Sequence, residues 1–196
     1  MPKLFIISGC NGAGKTTASY TILPEMLGCT EFVNADEIAK GLSPFAPESA
    51  SIQAGRVLVK RVSELLDLGR DFAIETTLAT RTYANLIKRA KQKGYMISLV
   101  YFWLNMPSLA VERVKSRVET GGHNVDEETI RRRYFIGIKN LLSIYIPICD
   151  YWIAIDNSNN PFEIIAEGGL DITTKIHNKT LLNLLINYER IGNTGT

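Results

Sequence analysis

The sequence predicts an α/β fold: a mostly parallel five-stranded sheet flanked by helices, with a helical, arginine-bearing lid. Three observations carry this expectation. Short apolar runs alternate with helical patterns from end to end, as in chains that build parallel sheets through crossover helices. A glycine-rich loop joins the first apolar run directly to the first helical pattern. The most apolar run, Met96 to Leu104, lies mid-chain and has the composition of a strand buried on both faces at the sheet's centre.

Taken in order, residues 3–8 (KLFIIS) read as a buried strand and 15–27 as a helix after the glycine turn. A second strand, 31–34, precedes a short helix over 36–41. After the turn from Pro44 to Pro47, an amphipathic helix runs over about 48–68 and stops at Gly69, a residue suited to the left-handed end of a helix. Strand 71–75 follows, then a helix over about 81–92 ending near Gly94, then strand 95–104. Pro107 opens the next helix at a position where its missing N–H is not needed. Gly121 and Gly122 break that helix. Another begins near Asp126, with Glu127 and Glu128 in its first turn, where the helix dipole favours them. Residues 150–156 read as the last core strand. A short segment over 162–170 and a polar-faced helix over about 176–190 complete a single domain spanning 1–191, and 192–196 read as a frayed tail.

The length, 196 residues, is that of one domain, and 45% apolar with 21% charged residues is ordinary for a globular chain. Disordered, collagen-like and coiled-coil classes are excluded. The 22 Lys and Arg against 20 Asp and Glu leave a net charge of +2, too little to argue for a nucleic-acid or membrane partner. Lys3 is followed by only four apolar residues before the glycine loop, which is no secretory leader. The run from Met96 to Leu104 is half the roughly 20 residues that span a bilayer. Cys10, Cys29 and Cys149 are odd in number and lack metal-ligand spacing, so neither a disulfide framework nor a zinc site is expected. A reduced, cytoplasmic protein is the expectation.

Gly9-Cys10-Asn11-Gly12-Ala13-Gly14-Lys15-Thr16 fits GxxxxGK[ST] without a mismatch, with a strand running in and a helix running out. The glycines let successive backbone N–H groups converge on phosphate oxygens, and the helix N-terminus adds its positive end. Lys15 is expected to reach the β- and γ-phosphates and the Thr16 hydroxyl to hold Mg²⁺, with Thr17 beside them. Cys10 reads as a spacer. This predicts a P-loop NTPase fold that binds a nucleoside triphosphate with Mg²⁺.

Motors and transporters end an apolar strand in a metal-binding Asp with a catalytic Glu beside it, and GTPases carry an NKxD-like base reader; neither pattern is present. The strand ends here are Asn34-Ala35-Asp36-Glu37 and Ile74-Glu75-Thr76-Thr77. Both fall at the carboxyl rim where ligands bind in open α/β sheets. Asp36 is expected to accept a proton from a substrate hydroxyl and to sit near Mg²⁺; it also suits the start of the 36–41 helix. Glu75 is read as binding substrate hydroxyls or a Mg²⁺-bound water, and Thr76 and Thr77 as donating hydrogen bonds to the same acceptor. Ser43 and Pro44 are placed near the pocket wall.

Arg113 and Arg117 are four apart and project from one helix face. Across the glycine hinge stand Arg131, Arg132 and Arg133. Two arginine-bearing helices over about 107–145 read as a lid whose guanidinium groups offset charge on a transferring phosphoryl group. Arg117 with Arg132 and Arg133 are the candidates, Arg113 lies on the substrate side, and His123 reads as a hinge or solvated residue. The Asp156-Asn157-Ser158 loop is placed near the adenine by position alone.

Ile6-Ile7-Ser8-Gly9-Cys10-Asn11-Gly12-Ala13-Gly14-Lys15-Thr16-Thr17, then Phe32-Val33-Asn34-Ala35-Asp36-Glu37-Ile38-Ala39, then Glu75-Thr76-Thr77-Leu78, then Gly121-Gly122-His123-Asn124-Val125 with Ile130-Arg131-Arg132-Arg133-Tyr134 resemble the zeta toxin family, in its short, toxin-like ATPase or kinase branch. The resemblance covers about residues 4–156. It implies a kinase-type P-loop fold using ATP and Mg²⁺. In the characterised toxins the acceptor is a sugar hydroxyl of UDP-N-acetylglucosamine, cell-wall synthesis is poisoned, and a small antitoxin blocks the ATP site. Carried over, Lys15 and Thr16 match the P-loop pair, Asp36 the catalytic base, Glu75 a substrate-side acid, and Arg117 with Arg132 or Arg133 the lid arginines. The chain is shorter than those toxins and ends soon after its last core strand, so their sugar-nucleotide pocket is expected to be missing.

The leading expectation is a kinase that phosphorylates a hydroxyl of a small molecule, with a small antitoxin as the implied protein partner and oligomeric state open. A regulatory ATP-binding module acting through a protein partner competes with it, and would show no acceptor-dependent loss of ATP. A polynucleotide-end kinase is the third reading, weakened by the near-neutral charge and the lack of a basic aromatic groove.

Overall fold

Seven strands form one sheet, two more than the sequence predicts. In the computed structural model, which describes residues 1–122 and 124–194, five strands lie where the apolar runs place them. They are β1 (Lys3–Gly9), β2 (Phe32–Val33), β3 (Phe72–Thr76), β4 (Met96–Trp103) and β5 (Tyr151–Asp156). The additional pair, β6 (Glu163–Gly169) and β7 (Ile172–Ile176), forms an antiparallel hairpin on β5. The order is β2-β3-β1-β4-β5-β6-β7, so β4 is central, as its composition predicts, and the first five strands are parallel. All five residues of β7 are exposed, and no apolar alternation marks it in the sequence.

The helices are α1 (Lys15–Thr21), α2 (Ala35–Leu42), α3 (Ser51–Asp67), α4 (Thr82–Gln92), α5 (Pro107–Glu119), α6 (Glu127–Asn140) and α7 (Lys179–Thr194). The 15–27 helix divides: α1 gives way to a π-helical turn, Ile22–Met26, that contains Pro24, which has no N–H to donate. The helix expected from about 176 begins three residues later and continues to Thr194, through part of the expected tail; residues 195 and 196, like His123, lie outside the described residues.

The helices form for the reasons their sequences give. In α3 the buried residues Ala54, Leu58, Val62, Leu65 and Leu66 recur at helical spacing, making one stripe against the sheet. The helix ends at Gly69, φ 63°, where the N–H groups of Arg70 and Gly69 donate to the carbonyls of Leu65 and Leu66. α6 is capped by Asp126, whose carboxylate accepts the Thr129 N–H at 2.8 Å.

α6 is a core helix as well as part of the expected lid. Ile130, Tyr134 and Ile138 are fully buried, the Tyr134 hydroxyl donates to Leu104 O at 2.6 Å, and Asn140 Nδ2 donates to Leu78 O at 2.7 Å. At Gly137 a Cβ would stand 2.7 Å from Thr77 O, so the helix lies directly on the loop after β3. The 107–145 region is therefore anchored at its α6 end. From β1 the chain steps out to β2, returns to β3 between them, then crosses to β4 on the far side. That reversal opens a crevice at the carboxyl ends of the strands, into which the loops after β1, β2 and β3 all lead.

Candidate nucleotide and acceptor site

Gly9 ends β1 at φ 142°, and a Cβ there would lie 2.0 Å from Phe102 O of β4. Only glycine lets the chain leave the sheet this close to its neighbour. The loop then turns through Gly14, φ 80°, into α1, which has no side-chain cap. The first-turn N–H groups of an uncapped helix are left for a ligand, and an anion is the ligand the dipole favours. Asn11, Gly12, Gly14, Lys15, Thr16 and Thr17 line a cavity of about 580 Å³. Gly9, Cys10 and Ala13, predicted with them, support the loop from behind without lining the cavity. Cys10 is buried, which pushes its thiol up to about 11, so it is a neutral spacer whose carbonyl accepts Lys15 Nζ at 2.9 Å.

Glu75 gathers the polar groups of this cavity. Its Oε2 accepts Thr16 Oγ1 at 2.8 Å and Asn34 Nδ2 at 2.9 Å, and its Oε1 lies 3.7 Å from Lys15 Nζ. Burial raises the Glu75 pKa above the usual carboxylate value, and the charge of Asp36 adds to this; Lys15 and Thr16 oppose it without cancelling it. Asp36 stands in the first turn of α2, where its N–H donates to Asn34 Oδ1 at 2.8 Å. Thr76 and Thr77 line the cavity, but Thr76 Oγ1 accepts the Leu78 N–H at 3.0 Å and so holds a turn in which Leu78 has φ 56°.

A second cavity of about 470 Å³ adjoins the first, and the two share Thr16, Ala35, Asp36 and Arg117. Its other wall includes Lys40, Pro44, Glu48, Asn124 and the fully exposed ring of Phe45. Ser43, beside Pro44 in sequence, lines neither cavity.

Of the arginines, Arg113, Arg117 and Arg133 line the first cavity. Arg132 does not: it is exposed, its Nη2 3.4 Å from Thr129 Oγ1, and this corrects its expected place in the site. Arg131, exposed too, pairs with Glu127. The buried face of α6, through Ile130, Tyr134, Gly137 and Ile138, sets the phase that turns Arg133 inward and Arg132 out. Arg113 Nη2 donates to Ser158 O at 2.8 Å, and Asn157 Nδ2 donates to Ala13 O at 2.9 Å. The 156–158 loop thus braces the P-loop from outside, lining neither cavity. Asn34, Thr80 and Tyr83 also line the first cavity, beyond the residues the sequence predicts for it. Asn34 carried a signal, an asparagine just before a helix; Tyr83 carried none.

The residues present fit the groups the loop implies. The uncapped start of α1 and the glycine turn suit phosphates, and the oxygens of Thr16, Asp36 and Glu75 suit Mg²⁺, a hard cation that binds one or two carboxylates and completes its shell with phosphate and water.

A P-loop opening an α/β sheet, with carboxylates at the next two strand ends and arginines facing in from α5 and α6, defines a P-loop protein of the kinase type. The chain belongs to the zeta toxin family, whose model matches residues 1–143. A relative from Haemophilus influenzae, an uncharacterised protein, is 29% identical over 133 residues, 67% of this chain and 92% of its own. Among solved structures, the PezAT chromosomal toxin–antitoxin system of Streptococcus pneumoniae matches with a TM-score of 0.68 and 18% identity, over 99% of this chain and 85% of that one. The AvrRxo1-ORF1:AvrRxo1-ORF2 complex matches with a TM-score of 0.71 and 13% identity, over 94% of this chain. This chain spans only 63% of that longer one. At these identities the structures show a shared fold. Among the described residues, no helix is long and apolar enough to cross a membrane.

Proposed function

We propose that this protein is an ATP- and Mg²⁺-dependent kinase that phosphorylates a hydroxyl group of a small molecule, with a UDP-amino sugar such as UDP-N-acetylglucosamine as the first acceptor to test. One observation carries the reading: Asp36 stands on the wall common to the P-loop cavity and the adjoining cavity. A carboxylate at that junction is placed to take the proton from an acceptor hydroxyl as its oxygen bonds to phosphorus. Lys15, Arg117 and Arg133 bring positive charge to the same cavity, which favours a transition state whose charge spreads over phosphoryl oxygens. Mg²⁺, when bound, neutralises phosphate charge, with Thr16 and Asp36 as its protein ligands. Arg113, Glu75, Thr76 and Thr77 complete the substrate side.

Family membership supports a small antitoxin as partner, and the PezAT structure is of a toxin–antitoxin system. The cytoplasm is the proposed location, supported by three free, buried cysteines. The test is ADP release with Mg-ATP, measured with and without UDP-N-acetylglucosamine and then with a panel of hydroxyl metabolites. Acceptor-dependent release is expected. ADP release that no acceptor alters would contradict the kinase reading and favour a regulatory module.

A further inference from the structure

We infer that Asn34 is the positioning residue of this site, one side-chain amide that fixes Asp36 and Glu75 relative to each other. The inference rests on the proposed roles of those two carboxylates. β2 is only two residues long, paired to β3 at Phe32–Ala73 and Val33–Ile74, so the sheet alone holds the start of α2 weakly. Asn34 adds the missing fastening with both ends of its amide. Oδ1 accepts the N–H of Asp36 at 2.8 Å and of Glu37 at 3.4 Å, which caps α2 and sets its first turn. Nδ2 donates to Glu75 Oε2 at 2.9 Å, across 41 residues of sequence. Asn34 is itself 5% exposed, so neither end has water as a ready substitute.

The bridge matters most when the site is loaded. Glu75 Oε2 has two side-chain donors, Asn34 and Thr16, and the Thr16 hydroxyl is the group expected on Mg²⁺. With that hydroxyl turned to a cation, Asn34 is the neutral donor that remains on Oε2. Asn34 therefore keeps the Glu75 carboxylate and the first turn of α2, with Asp36 on it, in fixed relation.

Asn34→Ser separates the two ends of the amide. Serine caps a helix about as well as asparagine, but it is too short to reach Glu75. Two readouts apply: the split of kcat from KM in acceptor phosphorylation, and a double-mutant cycle of Asn34→Ser with Glu75→Ala by urea unfolding of the protein without nucleotide. N34S is expected to stay folded, to lower kcat with little change in the KM for ATP, and to destabilise less in the Glu75→Ala background than in wild type. A hydrogen bond to a charged group is lost, so kcat should fall roughly ten- to a hundredfold. The N34S/E75Q double variant should be no slower than E75Q alone, because Asn34 acts through Glu75. A wild-type kcat in N34S, or additive effects of Asn34→Ser and Glu75→Ala on unfolding, would overturn the inference. Failure of the kinase reading shows separately, as a fully active Asp36→Asn or as no acceptor phosphorylated; in that case the unfolding cycle alone decides whether Asn34 holds Glu75.

Discussion

Thr16 Oγ1 donates a 2.8 Å hydrogen bond to Glu75 Oε2, tying the first turn of α1 to the end of β3. The hydroxyl expected on Mg²⁺ and the acid expected on the substrate side are thus one hydrogen-bonded pair, with Lys15 beside it and Asn34 completing it. A ligand that engages any one of these four groups changes the surroundings of the rest. On the proposed function, phosphate recognition and acceptor recognition meet on Glu75, and Asp36 lines the same cavity.

Asp36→Asn preserves size and the α2 backbone while removing the proposed proton acceptor. Phosphoryl transfer should fall by about 10²–10⁴, the usual contribution of a general base. ATP affinity, measured by calorimetry, should stay near wild type. A variant with full turnover would remove Asp36 from the reaction.

Adjacent arginines on α6 should behave differently. Arg133→Ala should lower kcat by about 10²–10³, as loss of one group that stabilises developing charge does. Arg132→Ala should leave turnover close to wild type, because Arg132 points to solvent. Steady-state kinetics on the two variants side by side make the check; equal losses would mean that the phase of α6 is not what places the active arginine.

The raised pKa of Glu75 has a direction in stability. In the window between the ordinary carboxylate value and the raised one, the folded state holds a proton that the unfolded state has lost. Stability is then fully present below that window, declines as pH rises through it, and is flat above. Glu75→Gln removes the decline. Thermal melts of both proteins from pH 4 to 8 should converge at the acid end, with the variant at least as stable at the neutral end; a variant that loses stability as pH rises, in parallel with wild type, would contradict this.

Two helical glycines give opposite outcomes. Gly55 in α3 has open space around its missing Cβ, so Gly55→Ala should stabilise by about 0.5–1 kcal/mol through helix propensity. Gly137 in α6 has Thr77 O 2.7 Å from that position. Gly137→Ala should destabilise despite the same propensity gain, and should lower activity by lifting Arg133 from the site. Urea unfolding with a turnover assay reads both effects.

The parts of this molecule legible in its sequence are those whose cause is local. The phosphate loop is written in Gly9 to Thr16 because backbone geometry and one lysine make the site. The parallel strands are legible because both their faces are buried. β7 is not, since Ile172 to Ile176 are all exposed and owe their strand to pairing with β6. Arg132 and Arg133 could not be told apart before the buried face of α6 fixed its rotation. Asn34 reads as a helix cap, but its reach to Glu75 depends on β2 and β3 lying side by side, which no spacing records.

The central claim is phosphoryl transfer from ATP to an acceptor hydroxyl with Asp36 as the base. A ³¹P NMR time course with Mg-ATP and UDP-N-acetylglucosamine, followed by a small-molecule metabolite extract, tests it most directly in wild type and Asp36→Asn. A new phosphomonoester signal that grows as ATP declines, and is absent with Asp36→Asn, is the predicted result. ATP that yields only ADP and inorganic phosphate with every acceptor, or a phosphomonoester formed equally by both proteins, would contradict it.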